Sequence, residues 1–489
     1  MNKQVAHIGI VTIVLLAALV VGTTYWQTWA NAGLAERQDN AIRLVAQFSI
    51  KRGKIYASDG KTLLATNVSK RVSGQTLYFR RYPMGTLFAH VVGYSTETKN
   101  QTGLEESYND YLTASNSNLD TVFHATLDKL KGSTITGNNL ILSIRPGVQA
   151  LAMHLLQGKC GAVVAMNPTT GAVLTMASTP SYNPNLVERH FRQIRPLGTC
   201  GPLLNRATAG GYVPGSSFKV VTATAALDTG KFTPNSQFND PGYCIEYGKE
   251  VRNAGNPEAP ESFGNVTLFQ GLQHSINSVF CNVGKALGAG PILDYMKRYG
   301  FYKLPPIELP DNEMIASGLY NHGKLLWPKH PEFQVDPGRL AFGQERLRVT
   351  PLQMAMVAAT VANHGVEKRP YLVQRIVSPA GKTIVTAHPH SIARVMKPEV
   401  ASELNAMMQA VVTGGTGTAA QIPGIPVAGK TGTAETAAGS NVYTAWFIAF
   451  APADHPRVAV AVVLEHQVGG FGGKVSAPIA KQVMEALLR

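Results

Sequence analysis

The first sustained pattern is a run without charge. From Val5 or Ile8 to about Gly22 almost every position is apolar, and no charged residue stands between Lys3 and Glu36. As a helix rising about 1.5 Å per residue, such a run can just cross a hydrocarbon core of about 30 Å. Tyr25, Trp26 and Trp29 follow, at the level where aromatic side chains anchor a span. Ala30-Asn31-Ala32 has the small residues of a signal-peptide cleavage site, so removal of this segment is the competing reading. The length of the run, and the aromatics between it and that site, favour a retained anchor over residues 1–30.

From about Asn31 to Ile144 the pattern changes to short β-branched and aromatic runs separated by Gly, Asn, Ser and Thr, which predicts a strand-rich, irregular module over residues 31–145. Asp59-Gly60, between Ile55 and Leu63-Leu64-Ala65, is a hairpin turn signal. Leu140–Ile144 and Pro146–Leu156 read as a strand leading into a helix, and open a second domain over residues 146–489. There, Gly161–Met166 and Ala172–Ala177 flank Asn167-Pro168-Thr169-Thr170-Gly171 as a hairpin. Thr444–Ala451 and Arg457–Glu465 form another around Asp454-His455-Pro456, just after a strand holding Lys430–Thr433. Two strands at the start of the domain and three near its end, with helices between, predict an α+β fold: one antiparallel sheet closed by chain-distant strands. Thr350-Pro351 opens a long apolar helix ending at Ala362-Asn363-His364-Gly365. A further buried helix is predicted to begin near Ser216, where Phe218–Leu227 holds only the charge of Lys219 before Asp228-Thr229-Gly230 closes it. That helix is expected to pack against the sheet.

Composition narrows the partners. A formal net charge of +14 on 489 residues suits acidic lipid or an anionic wall polymer. Nucleic acid is disfavoured, because an export segment precedes the basic residues and neither zinc-finger spacing nor an RNA-recognition aromatic motif occurs. Arg52, Lys54, Lys70, Arg71, Arg80 and Arg81 make the first module basic, as a lipid or protein surface or as an ordinary solvated face. Cys160, Cys200, Cys244 and Cys281 allow two disulfides in an exported protein. Nearness along the chain favours Cys160 with Cys200 and Cys244 with Cys281, but free buried thiols fit equally well. Without CxxC spacing, and with scattered histidines, no metal site is predicted. No cofactor is implied.

Chemistry enters at Tyr212-Val213-Pro214-Gly215-Ser216-Ser217-Phe218-Lys219. On a helix, Ser216 and Lys219 share a face at its positive end, and a desolvated lysine can take the proton of an attacking hydroxyl. Alone, this tetrapeptide is equally a serine cap followed by a surface lysine. Two further motifs follow in order: Ser275-Ile276-Asn277 and Lys430-Thr431-Gly432-Thr433. SxxK, SxN and KTG in this order are the signature of penicillin-binding proteins and serine β-lactamases. The chain resembles the class B, single-span, monofunctional penicillin-binding proteins. In the first module Arg52-Gly53-x-Ile55, Tyr82-Pro83, Phe88–Tyr94 and Gly103-Leu104-Glu105 resemble, in order, the landmarks of that family's non-catalytic pedestal.

The resemblance implies a peptidoglycan D,D-transpeptidase with a membrane anchor, a pedestal and a penicillin-binding domain outside the cytoplasm. It implies Ser216 as nucleophile, Lys219 as proton acceptor, Ser275 as proton relay, and Asn277 as a hydrogen-bonding partner of the acyl donor's amide. Lys430, Thr431 and Thr433 would bind the donor's carboxylate. Gly432 would leave room for substrate, and the backbone N–H groups of Ser216 and Thr433 would form the oxyanion hole. Stem peptides, β-lactams, membrane lipid and a polytopic wall glycosyltransferase are the implied partners. Gly343-Gln344-Glu345 departs from relatives that often have a second glycine after the glutamine. Gly469–Lys474 is glycine-rich, but Val468 and Val475 break the phosphate-loop pattern, so it reads as a flexible turn. A D,D-carboxypeptidase or β-lactamase is the rival enzyme. A non-enzymatic wall-assembly scaffold that keeps a penicillin site is the rival from another class.

Overall fold

The computed structural model describes residues 2–25, 48–72, 74–98, 100–194, 200–253, 255, 256, 259–436 and 441–489. Asn2–Tyr25 is one helix, and its stretch from His7 to Tyr25 is long and apolar enough to cross a membrane. Trp26, Trp29, the Ala30-Asn31-Ala32 sequence and the expected boundary at Asn31 lie outside the described residues.

The large domain is built on a five-stranded antiparallel sheet in the spatial order Ala428–Glu435, Val442–Ala451, Val458–Val468, Gly161–Met166, Val173–Thr179. These are the two early and three late strands expected from the pattern. Residues 445–451 and 458–464 are buried without interruption, because both faces of the central strands are covered. Side chains alternate between two cores, with Val164, Ile448 and Ala461 on one face and Val163, Phe447 and Val462 on the other. Pro351–Ala362, buried along its whole length and capped by the Thr350 hydroxyl, covers the first face. Ala477–Leu488 covers the second.

The pedestal sheet runs Thr383–Thr386, Val373–Val377, Asn139–Leu142, Ile55–Tyr56, Leu63–Val72, Gln75–Arg81. Its first two strands return from deep within the large domain, so the sheet crosses the expected division at residue 145. The pedestal also contains a helix over Leu119–Leu130, whose cap is Asn118. At its centre Glu105 is fully buried between Arg52 (2.9 Å) and Arg80 (2.7 Å). The cysteines pair as neighbours along the chain, Cys160 with Cys200 and Cys244 with Cys281.

Candidate active site

Ser216 sits where three segments meet. Gly215 has φ of 53°, and a Cβ there would run into the Thr433 carbonyl oxygen. Glycine alone therefore lets this turn lie against the Lys430 strand. The Gly215 amide also donates to Gly343 O at 3.0 Å, which adds the Gly343 loop. Pinned on two sides, Gly215–Phe218 winds as a 3₁₀ turn, and the α-helix begins only at Lys219, running to Asp228. Both expectations for this segment thus need correcting. The helix starts three residues later than Ser216, and it is the turn that packs on the sheet, while the helix packs among helices Asn277–Leu287, Ala289–Arg298 and Pro398–Gly414. The tighter turn keeps positions three apart on one side. It leaves Ser216 partly exposed and Lys219 completely buried.

Two amines converge on the SxN turn. Lys219 Nζ donates to Ser275 O at 2.7 Å and to Asn277 Oδ1 at 2.8 Å, with Ser275 Oγ at 3.5 Å. It also lies over the Phe280 ring, 5.3 Å from the centroid. Lys430 Nζ donates to Ser275 Oγ at 2.8 Å and to Thr431 O at 3.2 Å. Ser275 holds this place with φ of 62°, a left-handed conformation that costs a non-glycine residue about 1–3 kcal/mol and that recurs at functional sites. Burial, and then the neighbouring Lys430, push the Lys219 amine well below the ordinary lysine range. Burial lowers Lys430 to about 7. Near neutrality such amines have lone pairs to accept protons, and one hydroxyl connects them.

The comparisons with known proteins identify the domains that carry this site. Residues 161–485 match the penicillin binding protein transpeptidase domain, and residues 52–140 match the penicillin binding protein A dimerisation domain. The chain belongs to the penicillin-binding protein transpeptidase family. A member of this family from Mycolicibacterium smegmatis, the peptidoglycan D,D-transpeptidase PbpA, is 34% identical over 100% of this chain and 99% of its own length. Penicillin-binding protein A from M. tuberculosis, solved as a penicillin G acyl-enzyme complex, superposes with a TM-score of 0.78 at 31% identity, over 90% of this chain and 100% of that one. PBP2 of Pseudomonas aeruginosa, in complex with WCK 5153, gives 0.71 at 31% identity, over 89% and 96% of the two chains.

Within this penicillin-binding domain, Lys219, Ser275, Asn277, Lys430 and Thr431 are joined by hydrogen bonds. Ser216 is not among the partners of either amine. Thr431 is buried and exchanges a hydrogen bond with Thr416 at 2.7 Å, whereas the partly exposed Thr433 accepts one from the Gly472 amide at 3.2 Å. Gly432 also answers to a constraint of packing. A Cβ there would meet Pro214 O at 2.5 Å, Trp446 Cβ at 2.9 Å and Ser217 Cβ at 3.0 Å, so the glycine is what lets strand and turn touch.

The segment read as a flexible turn is packed. A Cβ on Gly472 would strike the carbonyls of Trp446 and Gly432, one on Gly473 would strike that of Thr416, and Phe471 lies against Tyr443 at 5.2 Å. Its glycines are needed for close approach, a signal the failed phosphate-loop comparison obscured. Thr416, outside every motif, could not have been found that way. Glu345, the residue standing where relatives often have glycine, has φ of 58°. Cys244, Cys281 and Glu246 lie close together, but the two sulfurs are joined in a disulfide and offer no thiolate to a metal.

Proposed function

We propose that this chain is a peptidoglycan D,D-transpeptidase in which Ser216 is the nucleophile and Lys219, Ser275 and Lys430 handle its proton. The observation that supports this most directly is the line Lys219–Ser275–Lys430, two buried amines held to one hydroxyl, with both driven toward their neutral forms. Ser216 Oγ attacks the carbonyl of the D-alanyl-D-alanine bond while Lys219 takes its proton. The carbonyl oxygen becomes an oxyanion between the N–H groups of Ser216 and Thr433, whose peptide lies against Gly215. Collapse breaks the C–N bond, and D-alanine leaves with a proton delivered through Ser275. An amine of a neighbouring stem peptide then attacks the acyl-enzyme, loses its proton by the same route and frees Ser216. Asn277 contacts the donor's amide, and Thr431 and Thr433 hydrogen-bond its carboxylate, whose negative charge on binding favours the protonated form of Lys430. A β-lactam acylates the same serine, and its opened ring retains the leaving nitrogen.

On the same proposal the body lies on the outer side of the membrane, near lipid and beside a polytopic wall glycosyltransferase as partner, a reading supported by the apolar helix from His7 to Tyr25. Intact mass with benzylpenicillin tests the catalytic proposal. One stable adduct on the wild-type chain, absent from Ser216→Ala, is expected. Rapid release of hydrolysed drug would point to a β-lactamase, and a folded chain that takes no adduct to a scaffold.

A further inference from the structure

Asn277 is held from below by residues outside the three motifs. The segment from Gln237 to Thr267 folds over the start of helix Asn277–Leu287 as a strand pair, Gln237–Asp240 with Gly264–Thr267, and a hairpin, Tyr243–Glu246 with Lys249–Arg252. Asp240, fully buried at the end of the first strand, is the centre of this clamp. Its carboxylate accepts from the Gly242 amide (2.9 Å), the Phe263 amide (2.9 Å), the Asn253 amide group (2.8 and 3.0 Å) and the Ser278 hydroxyl. Asn253, oriented by Asp240, turns its Oδ1 to the Ser278 backbone N–H at 3.0 Å, one of the N–H groups that the first turn of a helix leaves free. The next residue back is Asn277, whose Nδ2 donates to Arg252 O at 3.0 Å and whose Oδ1 receives Lys219. The Cys244–Cys281 disulfide ties the hairpin to the same helix one turn further on.

We infer that Asp240 is a positioning residue for acyl transfer. It fixes Asn253 and Ser278, and through them the orientation of the Asn277 amide and the left-handed Ser275 turn that together hold the Lys219 amine. This rests on the function proposed above. All acceptor positions of the carboxylate face donors. Asp240→Asn therefore sets an N–H₂ group against the Asn253 amide or the Phe263 N–H, and the clamp must shift. A displacement of about 1 Å at a reacting group is worth about 10²-fold in rate.

The test is acylation of the full-length protein by benzylpenicillin, followed by intact mass and separated into a saturation constant and a first-order rate. Asp240→Asn is expected to reach the same final stoichiometry with a first-order rate lower by about 10²-fold. In an Asn277→Ala background the same change should add little, because one chain of contacts transmits both effects. Ser278→Ala deletes a single bond to the carboxylate and serves where Asp240→Asn folds poorly; it should slow acylation several-fold at an unchanged final stoichiometry. Equal rates for wild type and either folded variant would overturn the positioning role. So would costs of Asp240→Asn and Asn277→Ala that simply multiply, which would mark Asp240 as a support of the fold alone. A wild-type chain that took no adduct would instead fail at the proposed function, and the positioning role would fall with it.

Discussion

Two of the clusters of buried charge among the described residues are built on opposite principles. In the pedestal, Glu105 is enclosed by Arg52 and Arg80, with Asn109 completing the Arg52 fork. Burial alone would raise its carboxyl, but Arg80 and Arg52 outweigh burial and hold it below the ordinary value. In the catalytic domain Lys219 and Lys430 are equally buried, yet the group between them is a neutral hydroxyl and the nearest like charge is each other. Opposite charges inside a protein stay ionised and serve architecture, while amines buried without a counter-charge are pushed toward neutrality, chiefly by burial itself, and become reactive. Burial alone therefore does not distinguish a structural charge from a functional one. The presence of an opposite charge beside it does.

The largest effect should come from Lys219→Met. Removing a positioned general base costs about 10²–10⁴ in rate, so acylation by benzylpenicillin should nearly vanish. The thermal midpoint should hold or rise, since an awkwardly buried amine has gone. Acylation at the wild-type rate would break the comparison at its functional end. Glu105→Gln probes the other end. Two buried guanidiniums lose their partner, which costs about 3–5 kcal/mol in denaturant unfolding, while the protein that remains folded should acylate at the wild-type rate. Slow acylation with unchanged stability would invert the two roles.

A pH series separates the clusters more finely. The Lys430 amine lies at about 7 in the folded chain, against about 10.4 in an unfolded one. Between these values the unfolded chain holds the extra proton. Stability from this group therefore rises with pH across that window, by about 1.4 kcal/mol per pH unit, and is flat below it. Glu105 contributes with the same sign at the other end of the scale. Its folded carboxyl lies below the usual 4.5, so its contribution is present above that value and is lost as pH falls through the lowered one. Lys430→Met should reduce the alkaline slope to the part that Lys219 carries and leave the acid limb, whereas Glu105→Gln should flatten the acid limb and leave the alkaline slope. Urea unfolding of both variants beside wild type, from pH 2 to pH 9, checks this. Parallel curves throughout would show that neither charge is perturbed.

The chemistry was legible in the sequence because each motif packs its reacting groups into four residues or fewer, and because the runs Gly161–Met166, Thr444–Ala451 and Arg457–Glu465 are apolar enough to be read as central strands. What was not legible depends on contacts between distant, polar segments. The clamp around Asp240 is made of four-residue strands such as Gln237–Asp240 and Tyr243–Glu246, whose inward and outward positions alternate but which are too short and too polar for that period to stand out in the sequence. Strands Val373–Val377 and Thr383–Thr386 reach back to a sheet begun at Ile55, a pairing for which local pattern offers no sign. The start of the Ser216 helix was misplaced for the same reason. Its first turn is set by Thr433 and Gly343, residues more than a hundred positions away. Nearness in sequence favoured the cysteine pairing that formed, but only the fold removed the alternative of free thiols.

The smallest effect lies on the rim of the site, where a partly exposed ion pair, unlike the buried ones of the pedestal, stands on a backbone strained like that of Ser275. Glu345, two residues after the glycine whose carbonyl receives Gly215, has φ of 58° and pairs with Arg346 at 2.6 Å. A left-handed conformation costs a residue with a Cβ about 1–2 kcal/mol, and an exposed pair returns about 0–1 kcal/mol. Arg346 is 39% exposed, so strain should exceed pairing. Glu345→Ala keeps the strain and loses the pair, and should be the least stable of the three chains. Glu345→Gly loses both. It should exceed the alanine variant by about 1 kcal/mol, part of the relief being offset by the greater freedom of glycine in the unfolded chain. Denaturant midpoints of the three proteins decide it. If alanine and glycine are equal, the turn is not strained, and the departure from glycine at 345 has no energetic consequence for the loop that borders Ser216.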